Sequence, residues 1–366
     1  MSAYASLIPV NVITGFLGSG KTTLLRHLLQ SPAFAHTAVM INELGEVGLD
    51  HELVRNVTET TLLLENGCVC CAIRDDLRTA LRELYSHRER AEVPRFDRLV
   101  IETSGLADPM PIAYTVLTEP VLQHHFRLGN VVTTLDACNG AQQLERFPEA
   151  TQQIAAADRI VLTKTDRGEA TRTAALREQL AQLNAAAPIL EPREGEVDAQ
   201  ALLAEDAYGT GEDRTHEAER WLARAADTSN APGEPAHRHT RGVSSFCVKV
   251  GRELDWTAFG VWMTMLLNRH GDRVLRIKGL LNVAGVSGPV LINAAQHIVH
   301  PPSHLDRWPT DERSTRIIFI VRDLDCERIR ASLETFNELS NPPPCSAPPV
   351  ESPPQRLPGV LSRTRG

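Results

Sequence analysis

The segment Gly15 to Thr22, with the sequence Gly-Phe-Leu-Gly-Ser-Gly-Lys-Thr, places the strongest constraint on how this 366-residue chain can fold. It fills every fixed position of the phosphate-binding pattern G-x-x-x-x-G-K-[ST]. An apolar run, Ile8 to Ile13, precedes it, and an amphipathic run, Thr22 to Gln30, continues from it. The motif therefore lies between a predicted strand and a predicted helix, where loop amides and the helix N-terminus can face a phosphate group.

Two side chains of the motif have distinct expected roles. Lys21 is expected to bring a positive charge to the phosphates, and Thr22 to offer its hydroxyl to Mg²⁺. The other residues expected to contact the nucleotide phosphates are Gly15, Gly18, Ser19, Gly20 and Thr23. A glycine-rich turn without a ligand is the alternative, but the complete motif with its flanking elements disfavours it. The motif leaves open which nucleotide binds and what its hydrolysis drives.

Strand-like and helix-like runs alternate from Ile8 to about Ile189, which is typical of a parallel sheet covered by helices. We therefore predict an α/β fold, a P-loop NTPase sheet with helices on both faces, over residues 7–200. The predicted strands are Ile8–Ile13, Thr37–Ile41, Thr61–Leu64, Arg98–Ile101, Asn130–Leu135 and Arg159–Leu162. The predicted helices are Lys21–Gln30, Asp75–His87, a segment after Pro109, Ala150–Ala156 and Glu169–Asn184.

The rest of the chain divides by composition. Residues 201–241 lose the apolar period and are predicted to be a flexible linker. Residues 242–337 are predicted to form a smaller α+β domain, with a strand from Ser244 to Val250 and helices at Asp255–Arg269 and Asp325–Phe336. Residues 338–366 are rich in proline and are predicted to be a disordered tail.

Charge and hydropathy restrict the partners. The formal net charge of −8 argues against nucleic acid as a partner. The sequence has no apolar stretch long enough to span a membrane and no signal-peptide pattern at its start. We therefore expect a cytoplasmic protein without a membrane partner, and the oligomeric state stays open, a homo-oligomer being one option.

The segment Thr163-Lys164-Thr165-Asp166 follows a predicted strand and favours GTP over ATP. An aspartate can accept hydrogen bonds from guanine N1–H and the exocyclic amine, which adenine cannot donate, and a site built around such bonds discriminates strongly. The aliphatic stem of Lys164 is expected to cover the base, and Thr163 lies beside it. Short strings of this kind are common in turns, so the prediction depends on their place at a strand end after the phosphate loop.

A second strand end carries a carboxylate and a glycine. Glu102 closes the apolar run Leu99 to Ile101, at the point where P-loop enzymes place an acid that supports Mg²⁺. The amide of Gly105 is expected to contact the γ-phosphate. An exposed strand end without function is the alternative interpretation.

Three of the seven cysteines crowd into the segment Gly67-Cys68-Val69-Cys70-Cys71. Three thiolates so close can bind Zn²⁺ or Cu(I) with one coordination position open to another ligand, for which Glu46 is a candidate. A closed structural zinc site normally has a second cysteine pair, which this chain lacks. A redox couple of Cys68 and Cys71, or inert buried thiols, are the alternatives.

These motifs together resemble the CobW-like family of metallochaperone GTPases. The resemblance spans both predicted domains and includes Asn42 to Glu46, Glu102 to Pro109, and the C-terminal segments Arg276–Leu281 and Ile317–Asp323. Thr163 departs from the Asn of many GTPases, and the histidine-rich metal loop of some members is reduced to His237 and His239. In a polar linker, these two histidines are more often solvated than bound to metal.

The resemblance implies a GTP-hydrolysing zinc chaperone that binds zinc through Cys68, Cys70 and Cys71 and transfers it to client metalloproteins. GTP, Mg²⁺ and Zn²⁺ are then the expected cofactors and cargo, with Lys21, Thr22 and Glu102 supporting hydrolysis. No residue of the sequence stands out as a general base, so intrinsic hydrolysis is expected to be slow. The alternatives are an accessory GTPase that inserts cobalt or iron into a partner enzyme, and a redox-switched GTPase without a metal.

Overall fold

The computed structural model of the chain describes residues 6–42, 62–66, 73–192, 197–203, 215, 218–219 and 242–340. Within these ranges the backbone forms a seven-stranded parallel sheet, followed along the chain by a six-stranded antiparallel sheet. None of the helices built from these residues is long and apolar enough to cross a membrane.

The first sheet and its helices occupy the N-terminal half of the chain. Its strands are β1 (Ile8–Gly15), β2 (Thr37–Asn42), β3 (Leu62–Asn66), β4 (Arg98–Glu102), β5 (Phe126–Asp136), β6 (Arg159–Thr163) and β7 (Ile189–Leu190). The accompanying helices are α1 (Lys21–Leu29), α2 (Ile73–Glu89), α3 (Met110–Thr118), α4 (Gly140–Arg146), α5 (Pro148–Ala156), α6 (Ala170–Leu183) and α7 (Ala199–Leu203). The predicted strands and helices all occur here within a few residues of their expected bounds, whereas α4, α7 and β7 were not predicted.

The order of the strands places the ends of β1, β4 and β5 next to one another. The strands lie in the order β3-β2-β4-β1-β5-β6-β7, so β1 is central and its neighbours are β4 and β5. Glu102 at the end of β4 pairs in register with Ile13 on one side and with Ile41 on the other. Because all the strands are parallel, the segments that follow them leave from one edge of the sheet.

Apolar side chains alternate along each central strand and so cover both faces of the sheet. On one face, Ile13, Val100 and Val161 pack with buried leucines of α1 and α7. On the opposite face, Val12 and Ile101 pack in a cluster with side chains of α2 and α3. Each fully buried side chain of this kind contributes about 1.5–3 kcal/mol, which makes the two covered faces the main source of stability.

The antiparallel sheet belongs to the C-terminal part of the chain. Its strands are β8 (Val243–Val250), β9 (Val274–Leu281), β10 (Val290–Ala295), β11 (Ile298–Val299), β12 (Ser303–His304) and β13 (Thr315–Arg322). Helix α8 (Trp256–His270) begins after Asp255, whose Oδ1 accepts a hydrogen bond from the Ala258 amide at 2.7 Å. Helices α8 and α9 (Cys326–Ser340) cover one face of this sheet. The predicted fold class, a P-loop NTPase sheet followed by an α+β domain, is confirmed.

The proposed boundaries between domain, linker and tail cut through ordered elements. Helix α7 runs across residue 200, and Leu202, Leu203 and Ala218 are buried although they belong to the segment predicted as a linker. Helix α9 likewise continues to Ser340, past the predicted end of the second domain.

The second sheet packs directly on the first unit. Val243, Leu275 and Ile320 of the antiparallel sheet share a hydrophobic cluster with buried residues of α5 and α6. The hairpin of β10 and β11 contributes Ala295 and Ile298 to the cluster that lies under α3. The two parts of the molecule therefore have a common apolar core.

A buried ion cluster lies at the same interface. Asp158, at the start of β6, accepts hydrogen bonds from Arg276 and, at 3.0 Å, from Lys278 Nζ, both on β9. Burial alone would raise the pKa of Asp158, but the two cations and the Val131 amide outweigh it and hold the pKa well below its usual range. Burial, together with the charges of Arg276 and Lys278, lowers the pKa of nearby His300 to about 3, and the opposite effect of Asp158 is smaller. The imidazole of His300 is therefore neutral at pH 7.

Replacing Asp158 by Asn should destabilise the protein strongly. Arg276 and Lys278 would remain buried without their carboxylate, and breaking a buried ion pair from one side costs about 3–5 kcal/mol. We expect chemical denaturation followed by circular dichroism to show a loss of this size. Asp306→Asn is the matched control at an exposed position and should change the free energy of unfolding by less than about 0.5 kcal/mol. Equal effects of the two substitutions would contradict the assigned role of the cluster.

Candidate functional site

The phosphate-binding segment forms the turn between β1 and α1. Gly15 ends β1 with φ of 143°, and a Cβ atom at this position would lie 2.4 Å from the carbonyl oxygen of Thr134 on β5. Only glycine can therefore occupy this position without moving the central strands. Ser19 anchors the other side of the turn, because its hydroxyl lies 2.7 Å from the Thr134 hydroxyl.

Lys21 and Thr22 open helix α1 and turn toward the edge of the sheet. Lys21 Nζ donates to the carbonyl oxygens of Gly15 at 2.9 Å and Phe16 at 3.4 Å, which holds the ammonium group across the turn. Thr22 Oγ1 donates to Glu102 Oε1 at 2.9 Å, and Glu102 is fully buried. A hydroxyl and a carboxylate in contact are the hard oxygen ligands that suit Mg²⁺, so the residues present fit this ion.

The segment after β4 packs against the phosphate-binding turn. A Cβ atom on Gly105 would lie 2.8 Å from Leu17 Cα, so only a glycine allows this approach to the turn. Two carbonyl oxygens of the segment, those of Gly105 and Ala107, accept hydrogen bonds from Gln153 Nε2 at 3.2 and 3.0 Å. Gln153 lies on α5 and is buried, so this helix holds two carbonyl groups of the segment.

The segment after β6 is tied to the same turn. Thr163 Oγ1 donates to the Ser19 carbonyl oxygen at 2.7 Å. Lys164 Nζ donates to the Gly18 carbonyl oxygen at 2.8 Å and to Asp136 Oδ2 at 2.7 Å. Two direct hydrogen bonds therefore join the phosphate-binding turn to the predicted base-binding segment, and Asp136 at the end of β5 holds the same lysine.

Asp136, at the end of β5, is a site residue that the sequence analysis missed. Burial would raise its pKa, but hydrogen bonds from Lys164, Asn139 and the Cys138 amide prevail and lower it. The carboxylate is thus ionised and holds the Lys164 ammonium group. A carboxylate at the C-terminal end of a predicted strand was the signal that identified Glu102, and the same signal was present here.

A cavity of about 610 Å³ opens beside the start of α1. Its lining includes Gly20 and Thr23 from the phosphate-binding segment and Lys164 and Asp166 from the segment after β6. The Asp166 side chain is 79% exposed and lies 3.8 Å from Arg167 Nε, which leaves its carboxylate accessible to a ligand. The cavity can therefore hold a planar base between the two segments.

Other lining residues were not predicted as site residues, among them His27, Pro192 and Val197. His27 comes from the second turn of α1, and Pro192 and Val197 come from the chain after β7. The sequence carries no motif for Pro192 and Val197, because β7 is only two residues long and was not recognised as a strand.

The residues predicted to bind zinc lie outside the described part of the chain. This applies to Cys68, Cys70, Cys71 and Glu46, and also to His237 and His239. Among the residues that the structure does describe, no three His, Cys, Asp or Glu side chains form a group suited to a metal ion. The strands that precede these residues are described: β2 precedes Glu46, and β3 precedes the three cysteines. Ile41 on β2 pairs with Glu65 on β3 and with Glu102 on β4, so both strands end beside Glu102.

The parallel sheet, the glycine-rich turn and the Thr22–Glu102 pair define a P-loop nucleotide-binding protein. Residues 9–191 match the profile of the CobW/HypB/UreG nucleotide-binding domain, and residues 243–337 match that of the cobalamin synthesis protein CobW C-terminal domain. The chain belongs to the CobW family.

Two zinc chaperones and one crystal structure are similar to this chain over nearly their whole length. The zinc chaperone YjiA of Escherichia coli is 35% identical over 327 residues, covering 89% of this chain and 97% of the relative. The zinc chaperone CobW of a Sinorhizobium species is 31% identical over 361 residues, covering 89% and 96%. The crystal structure of Zn(II)-bound YjiA GTPase superposes with a TM-score of 0.67 and 28% identity over 90% of this chain and 99% of that one.

Replacing Lys164 by Met should weaken nucleotide binding at least about tenfold, a loss of about 1.4 kcal/mol or more. The substitution removes the contacts of Nζ with Gly18 and Asp136, and hydrogen bonds to charged groups contribute about 1.5–3 kcal/mol each. Titration of a fluorescent guanine nucleotide measures the dissociation constant. Lys249→Met, which removes a half-exposed lysine of the antiparallel sheet, is the control and should leave the constant unchanged. An unaltered affinity in the Lys164 variant would show that these contacts do not organise the site.

Proposed function

We propose that this protein is a GTP-hydrolysing zinc chaperone that binds Zn²⁺ through Cys68, Cys70 and Cys71 and passes it to client metalloproteins in a GTP-dependent cycle. One observation carries the proposal: β3, the strand that leads into the cysteine segment, ends level with Glu102, on the sheet edge that holds the phosphate-binding turn. The near full-length similarity to proteins named zinc chaperones supports the same conclusion.

Nucleotide binding is assigned to residues whose chemistry matches each part of GTP. The amides of the turn and the ammonium group of Lys21 balance the negative charge of the phosphates. Thr22 and Glu102 would hold Mg²⁺, which when bound neutralises charge that develops on the phosphates during hydrolysis. Gly105, held against Leu17, offers its amide to the γ-phosphate.

Guanine selectivity is assigned to Asp166. Its carboxylate lines the cavity and accepts two hydrogen bonds from guanine N1–H and the exocyclic amine. Adenine has no donors at these positions and would leave the carboxylate without partners, which disfavours ATP. The Lys164 stem lies beside the base while its ammonium group stays on Asp136 and Gly18.

The cycle couples zinc to the nucleotide through the segments that follow β2 and β3. Both segments leave the sheet edge at which the γ-phosphate and Mg²⁺ would bind, so hydrolysis changes their surroundings directly. If GTP alters the affinity for zinc, zinc alters the affinity for GTP by the same factor. Three thiolates with Glu46 as a further ligand form an open site, which suits the transfer of zinc better than its permanent retention.

Replacing Asp166 by Asn should change the base that the protein prefers. The Asn side chain can accept one hydrogen bond and donate another, which fits xanthine, whereas guanine offers two donors. We expect affinity for GTP to fall at least about tenfold and affinity for xanthosine triphosphate to rise, because one matched hydrogen bond is replaced by a mismatch. Competition binding with the two nucleotides and ATP measures the change. Equal affinities for GTP and ATP in the parent protein would contradict the assignment of Asp166.

Replacing Cys70 by Ser should abolish stoichiometric zinc binding and leave GTP binding intact. Serine retains the size of the side chain but cannot supply a thiolate, which zinc requires in such a site. Elemental analysis and a chromophoric zinc competitor measure stoichiometry and affinity. Cys138→Ser, at an exposed cysteine in the segment after β5, is the matched control and should bind zinc normally.

Metal-binding measurements also distinguish a zinc chaperone from a chaperone for another metal and from a redox-switched GTPase. A chaperone for cobalt or iron would bind one of those ions in preference to zinc in direct competition. A redox-switched GTPase would form a reversible disulfide between Cys68 and Cys71 and bind no metal. Zinc binding at parental affinity in the Cys70 variant would overturn the proposed ligand set.

A further inference from the structure

The segment between β4 and α3 contacts both the phosphate-binding turn and the antiparallel sheet. At its start, the Thr103 amide donates to the Ile13 carbonyl oxygen at 2.9 Å, and Gly105 lies against Leu17. At its end, Asp108 is held by side chains that come from two different parts of the molecule. The segment therefore links the nucleotide site to a second location.

Three donors surround the Asp108 carboxylate. The Met110 amide donates to Oδ1 at 2.9 Å, which fixes the carboxylate at the start of α3. Gln152 Nε2 donates to Oδ2 at 2.8 Å from α5. Gln296 Nε2 donates to the same oxygen at 3.1 Å, and this residue belongs to the antiparallel sheet.

Gln296 lies on a firmly held support. It forms the turn between β10 and β11 with φ of 52°, and its amide donates to the Val274 carbonyl oxygen at 2.9 Å. The residues on either side of the turn, Ala295 and Ile298, are buried in the same cluster as Met110 of α3. The side chain thus projects from an anchored hairpin onto the segment that carries Gly105.

We propose that Gln296 is a positioning residue for the nucleotide reaction, through which the C-terminal domain responds to the γ-phosphate. The response passes from Gly105 to Asp108, which lie three residues apart. Gln153 holds the carbonyl oxygens of Gly105 and Ala107, so a shift of Gly105 cannot be absorbed between these residues. Such a shift changes the hydrogen bond that Gln296 Nε2 donates to Asp108 Oδ2, and hence the hairpin of β10 and β11.

The inference rests on the proposed function, because it requires that Gly105 contacts the γ-phosphate of GTP. It adds a defined contact through which the C-terminal domain and the nucleotide influence each other. The influence must be mutual, since coupling between two binding sites is reciprocal. An effect of nucleotide on the hairpin therefore implies an effect of the hairpin on nucleotide selection.

Hydrogen exchange of the full-length protein tests the contact. Two samples of the parent protein are compared, one with GDP and Mg²⁺ and one with GTPγS and Mg²⁺. The amides of residues 290–299 should exchange at rates that differ about fivefold or more between them, since about fivefold is the lower limit of typical coupling between two sites. Gln296→Ala should remove this difference while both nucleotides still bind. Alanine keeps the Cβ atom, so the backbone conformation at φ of 52° is no more strained than in the parent protein.

Two variants separate the contact from a general loss of structure. Gln296→Lys keeps a donor that can reach Asp108 and should retain the nucleotide-dependent difference. His297→Ala, which removes the neighbouring side chain and its contact with Asp272, should retain it as well.

Nucleotide binding measured on the same samples distinguishes a failure of the proposed function from a failure of this inference. A parent protein that does not bind GTPγS overturns the proposed function and this inference with it. Normal binding with no difference in the parent protein, or with the difference kept in Gln296→Ala, overturns this inference alone.

Discussion

The parallel direction of the strands in the first sheet is the constraint on which the rest of the molecule depends. Since β1, β4, β5 and β6 all run the same way, the segments that follow them leave one edge, and the side chains that end these strands become neighbours. Helices must then return the chain along both faces, and their apolar side chains cover the sheet. The same arrangement that buries the core thus concentrates every polar group of the site at one edge.

At that edge, the phosphate-binding turn and the base-binding segment are not independent. Thr163 and Lys164 bond to carbonyl oxygens of Ser19 and Gly18, and Asp136 holds the Lys164 ammonium group. These bonds hold the two segments in a fixed relative position before a nucleotide binds. This preorganisation reduces the ordering that binding would otherwise require.

The local parts of the site were predictable from sequence because their signals are local. The turn from Gly15 to Thr22 has a fixed spacing, and the strand that ends at Glu102 is a continuous apolar run. Gln296 gave no signal, because its partner Asp108 lies 188 positions away and only the packing of the two sheets brings them together. Pro192 and Val197 likewise depend on β7, whose two residues are too few to show a period. The linker was predicted from weak periodicity, and the burial of Ala218 follows instead from a contact with the distant antiparallel sheet.

The common apolar core has a consequence for how this protein can be divided. Val243, Leu275 and Ile320 complete the cluster of α5 and α6, and Arg276 and Lys278 complete the surroundings of Asp158. A fragment that ends after β7 would expose that apolar surface to water together with a carboxylate that has lost its cations. The nucleotide-binding half is therefore not an autonomous module that could be exchanged between family members, and any substitution along the shared surface must be matched on both of its sides.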